Sequence, residues 1–324
     1  MWQNQDESLR TISHLGSCCV IMSFSIAKWV CPPPETFENP EGQEGRVEWF
    51  RCMPYVLIHL AALSVFFFPF LWWGVLLAFV SYTIRMFCIT AFYHRYFSHR
   101  AFKASRIVQF IGAFIACSAG QRGPLWWAAH HRRHHRHSDT EDDVHSPKTR
   151  SVFWSHTLWF MTEYSVPTFL KEVKDLLKFP ELRFLNRFDW IPVLLLALSC
   201  YALGSFPWFQ HFTGLNGVTT LIWGFFVPTI FLYHGTFAVN SFAHLFGSRR
   251  YKTDDESRNN FWIALFTLGE GWHNNHHFYP ISAKQGFFKW EIDITYLILK
   301  LLSIFRLVRD LRPVPAWVKE KGRS

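Results

Sequence analysis

Residues 126–147 read WWAAHHRRHHRHSDTEDDVHSP, and five histidines, His130, His131, His134, His135 and His137, fall within eight positions. Imidazole is the side chain proteins use most to hold a transition metal near neutral pH. On a helix, His131, His134 and His135 share one face, because positions three and four apart are neighbours. The acidic residues Asp139, Glu141, Asp142 and Asp143 follow at once. A basic surface tract would have the same composition, so the rest of the chain must separate the two readings.

Half of the 324 residues are hydrophobic, with 35 Phe and 16 Trp, which points to a membrane protein. Outward from the histidine stretch, Met53–Phe70 and Leu71–Tyr93 are long enough for two spans of about 20 residues each, joined near Pro69 to Gly74. A second apolar pair follows at Trp190–Phe206 and Val218–Phe242, the former short. The expected fold is therefore all-α and integral to the membrane, with four transmembrane helices. Residues 1–45, interrupted by Lys28 and Pro32–Pro34, are expected to form a poorly ordered or interfacial leader with no signal-peptide cleavage pattern, and 46–324 a single membrane domain.

The net charge of +9 is distributed unevenly. Of the 33 Lys and Arg, 15 lie in residues 94–188 and 13 in 249–324, and the connections at 69–74 and 206–218 have none. The positive-inside rule makes the basic side cytoplasmic, with both termini there. No nucleic-acid motif accompanies the charge. Seven scattered Cys without a CxxC pair fit thiols in a reducing compartment. Helices at Phe102–Ser118, Phe153–Phe160, Phe169–Leu185 and Trp290–Leu307 mix apolar and charged residues and suit a cytoplasmic helical cap resting on the headgroups.

The other histidines gather where that cap would need them. His94 and His99 end the second span, Asn240 and His244 end the fourth, and LGEGWHNNHH supplies His273, His276 and His277 with the same HxxHH spacing. On an ideal helix His94 and His99 are roughly 140° apart, so both reach one site only if the helix frays or ends between them. Nine imidazoles exceed what one ion takes, and they suit two metals with positions left open. His14, His59 and His211 read as solvent or interface residues. His130 and His137 flank the trio and tune charge or meet a head group. His145 and His156 are candidates for hydrogen bonding around the ligands, and His234 faces the bundle. Asp139 and Glu270 are the favoured acceptors for ligand N–H groups.

His94-RYFS-His99, His131-RR-His134-His135 and His273-NN-His276-His277, with GPLWWAAHH, LGEGWHNNHH, Asn240 and His244, resemble the integral-membrane acyl-CoA (stearoyl-CoA, delta-9 type) fatty acid desaturases over roughly residues 46 to 315. The resemblance implies two iron ions (2+/3+) with dioxygen as co-substrate. His94, His99, His131, His135 and His276 would hold one iron, and His134, His244, His273 and His277 with Asn240 the other. It implies a fatty acyl-CoA substrate of C16–C18 and a cis double bond. Gln121, Trp127 and Thr236 would shape the bend of the chain. Tyr82 and Met86, about 18 and 12 Å before His94 along a helix, would close the tunnel. Arg122 and His130 depart from animal relatives near the head group, and a basic pair after His156 is missing. No HPGG haem motif occurs, so electrons would come from a separate ferredoxin, rubredoxin or cytochrome-type partner with its reductase.

A diiron hydroxylase or ketolase would share the histidine logic but insert oxygen, and an acyl-lipid or acyl-carrier-protein thioester is an alternative substrate. A membrane metal transporter would need polar residues through its spans, and His59, Tyr82, Arg85 and His234 are too few and scattered for that.

Overall fold

The computed structural model describes residues 35–36 and 46–323. The leader expected over 1–45 thus lies outside the described residues except for Glu35–Thr36, a two-residue strand β1 that pairs in parallel with β3, Thr168–Phe169.

Three helices are long and apolar enough to cross a membrane: α1 (Trp49–Phe67), α2 (Trp72–Ser98) and α8 (Gly217–His244). The remaining expected span, third in chain order, is α6, Trp190–Ser205, only 16 residues long. At 1.5 Å per residue it reaches about 24 Å, less than the hydrocarbon core of about 30 Å. It follows α5, Pro180–Arg187, at a bend of 72°, so the count is three spans, or four if that bent pair is one. At the tip of the α1–α2 hairpin Phe66, Phe67 and Trp72 are 82%, 86% and 77% exposed. Such a bare aromatic tip suits lipid rather than water.

α3 (Arg106–Cys117) and α4 (Pro124–His137) lie between the two halves of the bundle in sequence. α3 starts where Ser105 accepts a hydrogen bond from the Val108 amide. α4 starts with Pro124 in its first turn, where a missing amide proton costs nothing. Gly123 precedes it because a Cβ there would lie 2.4 Å from the Asn186 Cα. That close approach lets Asn186 Oδ1 accept from the Trp126 amide at 2.8 Å, tying α4 to α5.

The cap differs from expectation in three places. Phe169–Leu185 is not one helix: β3 and a single 3-10 turn, Leu170–Val173, precede α5. Pro180 clashes with a preceding helical turn and so begins α5 instead of continuing one. Phe153–Phe160 is a π turn, Trp154–Leu158, running into a 3-10 turn. The helix expected over Trp290–Leu307 shrinks to α11, Ile294–Ile304, which Asp293 caps by accepting from the Tyr296 amide at 2.9 Å. Glu291 and Asp293 turn inward, where their carboxylates meet Arg250 and Arg95.

α7 (Pro207–Thr213), α9 (Phe261–Phe266), α10 (His273–Phe278) and α12 (Ala316–Lys321) complete the helices used below. β2 (Lys103–Ala104) and β4 (Val308–Arg309) form an antiparallel pair that fastens the C-terminal segment beside α3. The main core packs the end of α2, including Tyr93 and Phe97, against Ala113, Ala116, Ala128 and Ala129 of α3 and α4. Small residues on α3 and α4 allow that close approach.

Candidate metal centre

The end of α2 explains how His94 and His99 meet. Its last ten residues, Ile89–Ser98, wind as a π-helix, and the His99 amide donates to the His94 carbonyl at 3.3 Å. A five-residue hydrogen-bond step makes positions five apart near neighbours, which an α-helix does not. The two rings lie 4.9 Å apart. The helix widens along this stretch and ends at Ser98, so His99 sits at its C-cap, in line with the expectation that it ends between the two.

From these elements nine histidines converge in two groups. His94, His99, His131, His135 and His276 each offer a ring nitrogen within 4.8 Å of the others, and His134, His244, His273 and His277 do likewise. This is the division that the resemblance implies. α4 contributes to both groups, since His131 and His135 face one and His134 the other, and α10 does the same with His276 against His273 and His277.

The nitrogen spacings carry chemical information. Nε2 atoms lie 3.0 Å apart for His94 and His276, 2.8 Å for His99 and His131, and 2.9 Å for His276 and His135. In the second group His244 and His273 are 3.0 Å apart, and the buried Nε2 of His277 has no hydrogen-bond partner among the described residues. Ligands at about 2.1 Å from one ion and at right angles sit about 3.0 Å apart. Burial, reinforced by neighbouring imidazoles, holds the pKa values of His99, His131, His135, His273 and His276 well below the ordinary range. Neutral rings keep a lone pair, which is the form that binds a metal.

The outer nitrogens explain why the lone pairs point inward. The Nδ1 atoms of His134, His244 and His277 lie 3.0, 2.8 and 2.7 Å from Asp143, Asp139 and Asp255. His94 Nδ1 contacts Glu270 and lies 3.2 Å from Gln285 Nε2. A carboxylate on Nδ1–H fixes the tautomer that presents Nε2 to a metal. Burial opposes ionisation of Asp139, but the His244 contact and further hydrogen bonds outweigh it and bring its pKa down to about 2. Burial likewise works against charge on His134, yet Asp143 wins and raises its pKa. These donor sets fit two transition-metal ions. We expect Asp255→Asn to weaken metal binding about 10- to 100-fold, measured by competition with a chelator while the protein stays folded.

Of the acceptors anticipated in the sequence, Asp139 sits against His244 and Glu270 against His94. Asp143 was well placed in the sequence but not favoured, and Asp255 and Gln285 were missed. Asp143 looked like part of a solvated acidic turn but is 1% exposed, and it also accepts from the His145 amide. The sequence signal was the acidic pair that follows a histidine or basic run, at Asp142–Asp143 and Asp254–Asp255. His130 does not tune charge: it is buried, 3.2 Å from the Pro167 carbonyl, and burial takes its pKa to about 3. His137 is 35% exposed, 3.8 Å from Asp142. His59 is not a solvent residue; its Nε2 lies 3.2 Å from His234, whose other nitrogen lies 3.0 Å from His156.

A cavity opens beside the first group, with His131 in its wall. Gln121, Trp127, Thr236 and Asn240 line it, and Gln121 donates to Thr236 across it at 2.7 Å. Tyr233, Phe237 and Phe160 supply apolar wall, and Arg51 and Arg122 supply charge. Tyr82 and Met86 lie outside that lining. Met86 is fully buried in the core, and the Tyr82 hydroxyl donates to the Phe266 carbonyl at 2.6 Å.

Residues 70–285 match the family model described as fatty acid desaturase. The chain is 34% identical over 280 residues to an sn-2 palmitoyl-lipid 9-desaturase of Nostoc sp. (strain 36), covering 85% of this chain and 93% of that one. It is 36% identical to an sn-1 stearoyl-lipid 9-desaturase of Synechocystis sp. over 82% of this chain and 81% of that one. It is 35% identical to an acyl-CoA 5-desaturase of Anemone leveillei over 82% and 80%. The chain belongs to the fatty acid desaturase family.

Proposed function

We propose that this desaturase inserts a cis double bond at the Δ9 position of a saturated C16–C18 acyl chain carried on CoA. In this reading His94, His99, His131, His135 and His276 hold one iron ion, and His134, His244, His273 and His277 with Asn240 hold the other. The observation that supports it most directly is an aromatic-walled cavity lined by His131 of the first histidine group and by two arginines, Arg51 and Arg122. When bound, the irons supply the dioxygen chemistry that side chains alone lack, because an unactivated C–H bond is beyond any protein acid or base.

The chain's own residues bind and orient. Apolar walls at Tyr233, Phe237 and Trp127 hold methylenes dry, and the Gln121–Thr236 hydrogen bond fixes the wall that sets their path. Arg51 and Arg122 suit an anionic carrier such as CoA. The excess of basic residues on the histidine side supports a cytoplasmic position for that side and both termini. A second carrier, a glycerolipid ester, is favoured by the names of the Nostoc and Synechocystis relatives.

Expression in a desaturase-deficient host, with mass spectrometry of double-bond position, tests the reading. The expected product is a Δ9 monounsaturated chain, and isotope label chased from acyl-CoA or from intact lipid separates the two carriers. Unchanged saturated lipids, or hydroxylated products, would sink it. Met86, eight residues before His94, is read as closing the far end of the acyl path. We expect Met86→Ala to shift the product profile toward longer chains, visible as a changed C16:C18 ratio, at a stability cost of about 2 to 5 kcal/mol for the core void.

A further inference from the structure

We propose that α12, with the exposed ring of Trp317, is the landing surface for a small acidic one-electron carrier protein, placed to deliver electrons toward His277. The proposal rests on the desaturase reading. Removing two hydrogens from –CH2–CH2– while dioxygen becomes two waters takes two further electrons and two protons, and the carrier is the source of those electrons.

A run of aromatic rings singles out one edge of the centre. His277 belongs to the second histidine group, and its ring is buried, 1% exposed. The next residue, Phe278, stacks on Tyr251 with centroids 4.2 Å apart and planes within 5°. Trp317, 54% exposed, lies 6.0 Å from Phe278 and 5.9 Å from Tyr279, ring to ring. Aromatic contacts and one peptide link therefore lead from the surface to a candidate metal ligand. Tyr251, Phe287, Phe288, Val314 and Val318 form a small core of their own behind these rings, separate from the main one. α12 is seated on it by Val318, which is fully buried and whose carbonyl accepts from the Tyr251 hydroxyl at 3.0 Å. The path has a rigid backing.

Charge around the ring is positive. Lys319, Lys321 and Arg323 stand against a single acid, Glu320, in residues 316–323, and Lys321 Nζ lies 4.9 Å from the Phe278 ring. Lys252 is exposed on the neighbouring loop. An exposed tryptophan within a basic rim is the anchor-and-steering arrangement of a transient protein contact. α12 packs against the polar loop that carries Arg250 and Tyr251. That position favours a water-borne partner over lipid headgroups.

The test uses the full, metal-loaded chain in nanodiscs, with Trp317→Ala and the double variant Lys319→Glu/Lys321→Glu. The probes are a plant-type [2Fe–2S] ferredoxin and a soluble cytochrome b5 domain, each with its reductase. Binding is read by surface plasmon resonance against salt, and turnover is driven either by the carrier or by dithionite with methyl viologen. We expect both variants to weaken carrier binding at least tenfold and to slow carrier-driven turnover in step. Metal content and dithionite-driven turnover should not change. Binding unaffected by either variant overturns the proposal and leaves the patch to a lipid contact. Failure of both carriers to bind the unaltered chain, with dithionite still effective, overturns it too. Metal-loaded protein that never desaturates under any reductant overturns the desaturase reading instead, and the binding data still judge the surface.

Discussion

His131→Ala is expected to abolish desaturation and to reduce bound metal from about two ions per chain to one or fewer, measured by elemental analysis of the purified protein beside product analysis. His131 Nε2 stands 2.8 Å from His99 Nε2, and its ring packs 4.4 Å from His94 and 4.6 Å from His135. Removing it takes one donor from the first group and leaves the cavity wall open beside the remaining ones. The second ion should survive, because His134, on the same helix, reaches a different set of partners. His137→Ala is the matched control. That ring is partly exposed and makes only a 3.8 Å contact to Asp142, so its loss should change activity less than about twofold. Two ions retained and turnover intact in His131→Ala would remove the first histidine group from the reading.

Glu270→Gln is expected to have the largest combined effect on stability and metal affinity. Gly269, with φ +130°, and Leu268, with φ 57°, form the turn that brings Glu270 into the core. There its carboxylate contacts His94 Nδ1 and bonds Arg95 at 3.0 Å. Arg95 is 1% exposed and keeps one other counter-charge, Asp293, at 3.0 Å. Leaving a buried guanidinium short of a partner costs about 3 kcal/mol, the low end for a broken buried pair. Burial disfavours the Glu270 charge, but His94 and Arg95 together hold its pKa below the ordinary value. We therefore expect a lower thermal midpoint and metal binding weaker by about 10- to 100-fold. Asp293→Asn separates the two effects, since Asp293 touches Arg95 and backbone amides but no histidine. It should lose stability and keep the metals. Equal metal loss in both variants would show that Glu270 acts through the fold alone.

The membrane class, the three strongest spans and all nine histidines were legible in the chain because they depend on local composition and spacing. A run such as Leu71–Tyr93 has one energetic solution in lipid, and HxxHH presents three imidazoles wherever a helix forms. That His94 and His99 meet where the helix ends was legible as a condition, but the way they meet was not. It depends on a π-helical widening at Ile89–Ser98 that the packing of α2 against α3 and α4 supports and that no local propensity encodes. The third expected span, Trp190–Ser205, counts as one only together with α5, for a similar reason. Trp190–Ser205 is apolar enough, but its length and its 72° bend at α5 are set by how it packs.

By itself, then, the sequence determined which histidines gather and named Gln121, Trp127 and Thr236 of the cavity lining, while Tyr233, Phe237 and Phe160 of its aromatic wall came only with the fold. Only the tertiary structure decided the second layer, in which Asp143, Asp255 and Gln285 join Asp139 and Glu270 around the rings. An acidic residue in a polar run reads as solvated until folding buries it, as it buries Asp143 to 1% exposure. Whether a carboxylate faces water or an imidazole depends on contacts between elements far apart in the chain, such as Asp139 with His244, 105 residues away. Spacing along a polypeptide records which ligands exist, and the packed fold records what holds them still.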